Sequence, residues 1–120
     1  MRIIVSDYSG HAFPVELARA LSARGYHVLH LSAASFQTPK GKLERDPNDP
    51  ATLSIVTVTT RAPFAKDSFL RRRLQEMELG KRMAEQIVSF RPDIVLSGNA
   101  PLDVQQAIYK ASRKVGAGFI

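Results

Sequence analysis

Apolar positions change their spacing repeatedly along this chain, and each change marks an element. Residues 2–6 (RIIVS) are a short apolar run rich in β-branched side chains, which predicts a strand buried in a parallel sheet. Asp7-Tyr8-Ser9-Gly10 is turn chemistry. From His11 the period becomes helical, with Leu17, Ala18 and Leu21 on one face and Val15 at its edge. Pro14 is tolerated there because a first-turn N–H has no intrahelical partner to lose, and Gly25 suits the position just past the helix end. Residues 26–31 (YHVLHL) read as a second strand. His27 and His30 are three apart on it and so lie on opposite faces, unable to chelate one metal together. Strand, helix and strand make a βαβ unit with a right-handed crossover.

Residues 32–52 break the pattern. They hold Pro39, Gly41, Pro47 and Pro50 among mixed charges, and a loop of that length is usually functional or disordered. Residues 53–59 (LSIVTVT) predict a third strand with one face partly exposed. A second loop, TRAPFAK, follows. Asp67 or Ser68 then caps a helix running to about Phe90, with Leu70, Leu74, Met77, Ala84, Ile87 and Val88 at helical spacing. Such a helix is roughly 35 Å long at 1.5 Å per residue, and Gly80 marks a place for a bend. Arg91-Pro92-Asp93 stops it. Residues 94–96 are a fourth strand and Ser97-Gly98-Asn99-Ala100-Pro101 its turn. The helix 102–114 buries Val104, Ile108, Ala111 and Val115, with Gly116 past its end. Residues 117–120 begin a fifth strand, and a sequence stopping inside an apolar strand reads as a fragment of a longer, two-domain protein.

This order predicts one α/β domain over residues 1–120: a three-layer Rossmann-like fold with a parallel sheet in the order 3-2-1-4-5. Strands 1 and 4 are then neighbours whose connections leave in opposite directions, which opens a crevice at their carboxyl ends. The loop 6–13 and the turn 97–101 both flank it. A helix N-terminus at that point aims unpaired N–H groups at the crevice, so the loop is expected to line a cleft for a phosphate-bearing or sugar-bearing ligand.

Composition narrows the chemistry. There is no cysteine, which excludes disulfides and thiolate metal sites and suits a reducing cytoplasm. No apolar run approaches the length of a membrane span. Seventeen basic against eleven acidic residues give a net charge of +6, compatible with nucleic acid, an anionic bilayer or a polyphosphate ligand. Several catalytic signatures are missing: G-x-x-x-x-G-K-[ST], G-x-S-x-G and H-E-x-x-H do not occur. No acid ends strand 2, as an NAD site would want, and Thr59-Thr60 stand where a receiver domain would carry aspartate. Ser9 and His11 are too local to act as a dyad without a supporting acid.

The segment S-G-H followed by PVELARALSARGYHV resembles the amino-terminal domain of family 4 retaining glycosyltransferases of the GT-B fold. There a glycine-containing loop leads into a helix of the type E-L-A-x-x-L-x-x-x-G-H-x-V. Arg91-Pro92-Asp93-Ile94-Val95-Leu96, with the turn after it, resembles the family's P-D-[IV]-[IV] strand. Phe64-Ala65-Lys66 with the arginine-rich helix is similar to bacterial enzymes of surface-polysaccharide synthesis. The chain departs from the pattern in having Ser9-Gly10 where two glycines are common, and Ser97-Gly98-Asn99 where histidine is common.

The resemblance implies the N-terminal half of a two-lobed enzyme that moves a sugar from a nucleotide-sugar donor to a lipid-linked saccharide acceptor. The donor-binding lobe, with its ribose-binding glutamate, would lie beyond Ile120, so these residues alone would not turn over. Ser9 and Gly10 would approach the donor diphosphate, and His11 and Asn99 the transferred sugar. No metal and no cofactor are implied. Arg61, Lys66, Arg71, Arg72 and Arg73, with Phe64 and Phe69, would attract anionic headgroups, which places the protein in the cytoplasm and peripherally at the inner membrane face. A different class stands beside it: a non-catalytic basic α/β module binding nucleic acid or an anionic membrane surface. Against nucleic acid, basic residues interleave with acids along the long helix, and no recognised nucleic-acid motif is present.

Overall fold

A computed structural model describes residues 1–33, 44–60 and 69–120. In chain order it contains β1 (Arg2–Ser6), α1 (Ala12–Ala23), β2 (His27–Ala33), β3 (Leu53–Val58), α2 (Phe69–Phe90), β4 (Ile94–Ser97), α3 (Leu102–Lys114) and β5 (Gly118–Phe119). The strands form one sheet in the order β3-β2-β1-β4-β5, every pairing parallel. This is the Rossmann-like α/β architecture that the period changes predict.

β1 is the axis of the fold. Ile3 pairs with Val28 on one side and Ile94 on the other, and Ser6 pairs with Leu31 and Ser97. Both faces of β1 are covered, which is why it reads as unbroken apolar sequence. Ile3 and Val5 pack with Val28, Leu53 and Ala18 under α1. Ile4 packs on the opposite face with Leu29, Leu31, Val95 and residues of α2 and α3.

The structure corrects several boundaries and faces. β2 continues through Ser32 and Ala33, because those small residues pair with Thr57 and Val58 of β3. Ser32 Oγ lies 3.2 Å from Thr57 Oγ1. In α1 the buried line is Val15, Ala18 and Ser22, so Val15 is at the centre of the packed face rather than its edge. Ser22 is a buried polar member of that line, and its hydroxyl meets Thr52 Oγ1 at 2.8 Å. Gly25 and Gly116 follow the ends of α1 and α3 with φ of 98° and 73°, the left-handed conformation that helix ends use.

α2 departs furthest from its sequence reading. It is continuous from Phe69 to Phe90. Gly80 serves close packing: a Cβ there would stand 3.2 Å from Val104 Cα and 3.3 Å from Ala107 Cβ of α3. The core face is Leu79, Gly80, Met83 and Ile87. Leu70, Leu74 and Met77, which share the helical spacing, are instead 68%, 57% and 50% exposed. The expected cap at Asp67 or Ser68 lies outside the described residues.

The described part of the loop between β2 and β3 is held against α1. Arg19 Nε donates to Asp49 Oδ1 at 3.1 Å, and another nitrogen of the same guanidinium donates to the Glu44 carbonyl at 3.0 Å. The backbone N–H of Asp46, assisted by Arg19, keeps the Asp49 carboxyl below its ordinary range despite its burial.

Candidate functional site at the tips of the first and fourth strands

The carboxyl ends of β1 and β4 are joined directly. The Gly98 N–H donates to the Ser6 carbonyl at 2.8 Å. Each strand then turns away into its own helix, so a crevice opens between the two connections.

Asp7 is the structural centre of this crevice. Its N–H donates to the Leu31 carbonyl at 2.9 Å, and the residue is only 3% exposed. Its Oδ2 accepts the backbone N–H of His11 at 2.5 Å. The Gly10 N–H closes the turn onto the Asp7 carbonyl at 3.1 Å, with Gly10 at φ 71°. On the other side, a Cβ on Gly98 would sit 3.5 Å from Asp7 Oδ1, so the β4 tip rests against the carboxylate.

Asp7 also faces the His11 imidazole, with Nδ1 3.5 Å from Oδ2. The carboxylate is buried, whereas the His11 side chain is 53% exposed. The ring edge carrying Nε2 therefore points away from Asp7. An acid therefore stands beside His11. Asp7 escaped notice in the sequence because aspartate before Ser-Gly reads as ordinary turn chemistry. Nothing in the sequence announces that its side chain folds inward.

His11 is the N-cap of α1 but its side chain makes no cap hydrogen bond, and no acidic residue occupies the first turn. Asp7 takes the His11 N–H and Pro14 has none to offer. The first-turn donors that remain are those of Ala12 and Phe13.

The other expected site residues divide. Gly10 is buried and Ser9 half-buried in the β1 loop, while Asn99 is exposed on the β4 turn. Next to it, Ser97 Oγ donates to Gln105 Oε1 at 2.8 Å, tying the turn to α3. These four residues flank one crevice. Arg71, Arg72 and Arg73 stand apart, on the first turns of α2. Arg72 Nε meets Glu76 Oε1 at 3.1 Å, and Arg73 Nε meets Asp103 Oδ2 of α3 at 3.3 Å. Arg61, Lys66 and Phe64 lie outside the described residues.

Two buried residues near the crevice were not anticipated. Tyr8 is 2% exposed and packs into the core between the sheet and α2–α3, while its carbonyl accepts the Ala33 N–H at 3.1 Å. His30, beside Val5 in the ladder, is fully buried, and neither ring nitrogen has a hydrogen-bond partner. His27 lies on the opposite face and is exposed because it begins the strand, while Leu29 and Leu31 on its own face are buried. Burial pushes the His30 imidazole down to about 4; Asp7 opposes that and Arg19 assists it. A groove of about 560 Å³ between α2 and α3, lined by Lys81, Ala84, Val88 and Lys110, lies toward the opposite end of the helices. Among the described residues no cluster of His, Asp or Glu is placed to hold a metal ion, and no helix is long and apolar enough to cross a membrane.

No family model matches the chain, and no curated protein matches it. Among solved structures, it is similar to the C-terminal domain of a hydrogenase from Pyrococcus furiosus. The match has a TM-score of 0.61 at 14% identity and covers 99% of this chain and 88% of that one. At that identity the likeness is one of fold.

Proposed function

We propose that this chain is the acceptor-side domain of a glycosyltransferase. In this reading a sugar passes from a nucleotide-sugar donor to a lipid-linked saccharide acceptor at an anionic membrane surface in the cytoplasm. The observation that carries it is the crevice at the joined tips of β1 and β4, where Asp7 presents the His11 imidazole beside a glycine turn. Its physical logic is local. Gly10 lets backbone approach a ligand without a side chain between them. The first-turn N–H groups of α1 favour an anionic group such as a donor phosphate. The exposed edge of His11 and the amide of Asn99 are groups that hydrogen-bond sugar hydroxyls. A donor-binding lobe outside these 120 residues completes the proposed enzyme, and the domain alone is expected to be inactive. The reading as a nucleic-acid module draws less support, because Arg72, Arg73 and Arg82 are each paired with a carboxylate.

The test is release of nucleoside diphosphate by the full-length protein across a set of nucleotide-sugars, with lipid-linked saccharide as acceptor. Gly10→Val, which forces a branched residue into φ 71°, is expected to lower the rate by about tenfold or more. Equal rates for wild type and variant reject the role of this loop, and no release with any donor rejects the reading as a whole.

A further inference from the structure

α2 carries a second apolar line on the side away from the core. Leu79, Met83 and Ile87 face the sheet and α3. Leu70 precedes Leu79 by nine residues, two and a half helical turns, and so points the opposite way. From Leu70 the outer line runs through Leu74, Met77, Lys81, Ala84 and Val88, in steps of four and three residues along nearly the whole helix. Alternating steps of four and three are the heptad spacing of a helix that pairs with another helix.

The two ends of this line differ in shape. Near the start of α2, Leu70, Leu74 and Met77 stand out from the surface, each at least half exposed. Toward its end, Ala84 and Val88 are half-buried. With Ala107 and Ala111 of α3 they floor the groove of about 560 Å³. One end of the line protrudes and the other is hollow.

We infer that this face pairs with the same face of a second copy of the chain, the two α2 helices running antiparallel. A twofold axis midway between Met77 and Lys81 sets Leu70 against Val88 of the second copy, Leu74 against Ala84 and Met77 against Lys81. Because the contact is isologous, each match occurs twice. The larger side chains of each copy enter the groove of the other, which fills both hollows.

Lys81 selects the direction. A lone charged residue on a helix seam fixes register and orientation. A parallel, in-register pair would set Lys81 against Lys81. The antiparallel pair lays its stem along Met77 and leaves the ammonium at the margin.

The area suits a reversible dimer. Residues 70–88 span about 27 Å, and α2 with α3 is about 20 Å across. That face is about 540 Å² in flat projection, close to the about 600 Å² per partner at which specific interfaces begin. Antiparallel helices direct the two crevices toward opposite ends of the dimer. The pairing does not depend on the glycosyltransferase reading.

The experiment is sedimentation velocity of the protein from about 1 to 200 μM. Wild type is expected to pass from monomer to dimer over that range, and more readily at high salt, since each copy carries a net charge of +6. Leu74→Glu is expected to weaken dimerisation by about tenfold or more, with unchanged thermal melting at the dilute end. The chain has no cysteine, so introduced ones report the direction. Leu74→Cys with Ala84→Cys is expected to oxidise to a covalent dimer. Within one copy those positions are about 15 Å apart, beyond the reach of a disulfide. Leu74→Cys alone is expected not to crosslink, because its counterpart in the second copy is equally distant. A monomer throughout the range overturns the inference, as does a dimer that Leu74→Glu leaves intact. So does crosslinking of Leu74→Cys alone as readily as of the paired variant.

Discussion

The two halves of α2 belong to one unbroken helix and obey different rules. From Leu79 to Phe90 the helix is part of the core: Leu79, Met83 and Ile87 are fully buried, and Gly80 brings its backbone against α3. From Phe69 to Glu78 it has its leucines and methionine turned to solvent, with Arg72 and Arg73 paired to carboxylates. The same contrast runs through the domain. Around Asp93 and Arg2, the amino edge of the sheet is closed by the Arg2 N–H to the Asp93 carboxylate at 2.7 Å and by the Arg2 guanidinium 4.0 Å over the Phe90 ring. The carboxyl edge leaves Phe13, Phe69 and Leu102 largely exposed. Exposed apolar side chains add little to stability, so in the proposed reading the closed edge serves stability and the described part of the other edge serves binding.

The comparison can be broken most sharply in the closed half. Ile87→Ala removes a fully buried side chain under the sheet and is expected to cost about 3 kcal/mol in denaturant unfolding. A loss as small as that of a surface change would mean the lower half of α2 is not core.

The next effect is one of pH. His30 is neutral in the folded chain down to about 4, whereas an unfolded histidine titrates near 6.5. The unfolded state therefore binds the extra proton between those values. Stability is full above pH about 6.5, declines as the pH falls, and stops declining near pH 4. By pH 5 the loss from this group is about 2 kcal/mol. His30→Leu is expected to flatten that decline, measured by unfolding at pH 7 and pH 5; an unchanged slope would place the acid sensitivity elsewhere.

Gly10→Val is expected to cost about 1–2 kcal/mol, because φ at that turn is 71°. Gly10→Ala should cost less, and thermal unfolding of the two ranks them. Smallest of all is Leu74→Ser, expected to change stability by less than about 0.5 kcal/mol. A large loss there would erase the difference between the two halves of the helix.

Much of this was legible in advance. The strand order followed from the alternation of short apolar runs with helical periods. The meeting of the β1 and β4 loops followed from that order, since a doubly wound sheet reverses its connections between its first and fourth strands. The helix-end roles of Gly25 and Gly116 were legible because a left-handed position has few candidate residues. What was not legible concerns direction. Leu70, Leu74 and Ile87 are equally apolar at helical spacing, and a period cannot say which of two opposite faces meets the sheet. Gly80 reads alike as a weak point or as a contact until α3 lies against it. Asp7 looks like any turn aspartate until its side chain is found under the His11 N–H.

The sequence by itself determined the elements, their order and their parallel pairing, because these rest on local conformational preference and on the short-range periodicity of burial. Only the tertiary structure decided which apolar face of α2 is covered and that the Asp7 carboxylate meets His11. Each depends on how residues are oriented once neighbouring segments pack, and side-chain direction is not carried by spacing alone.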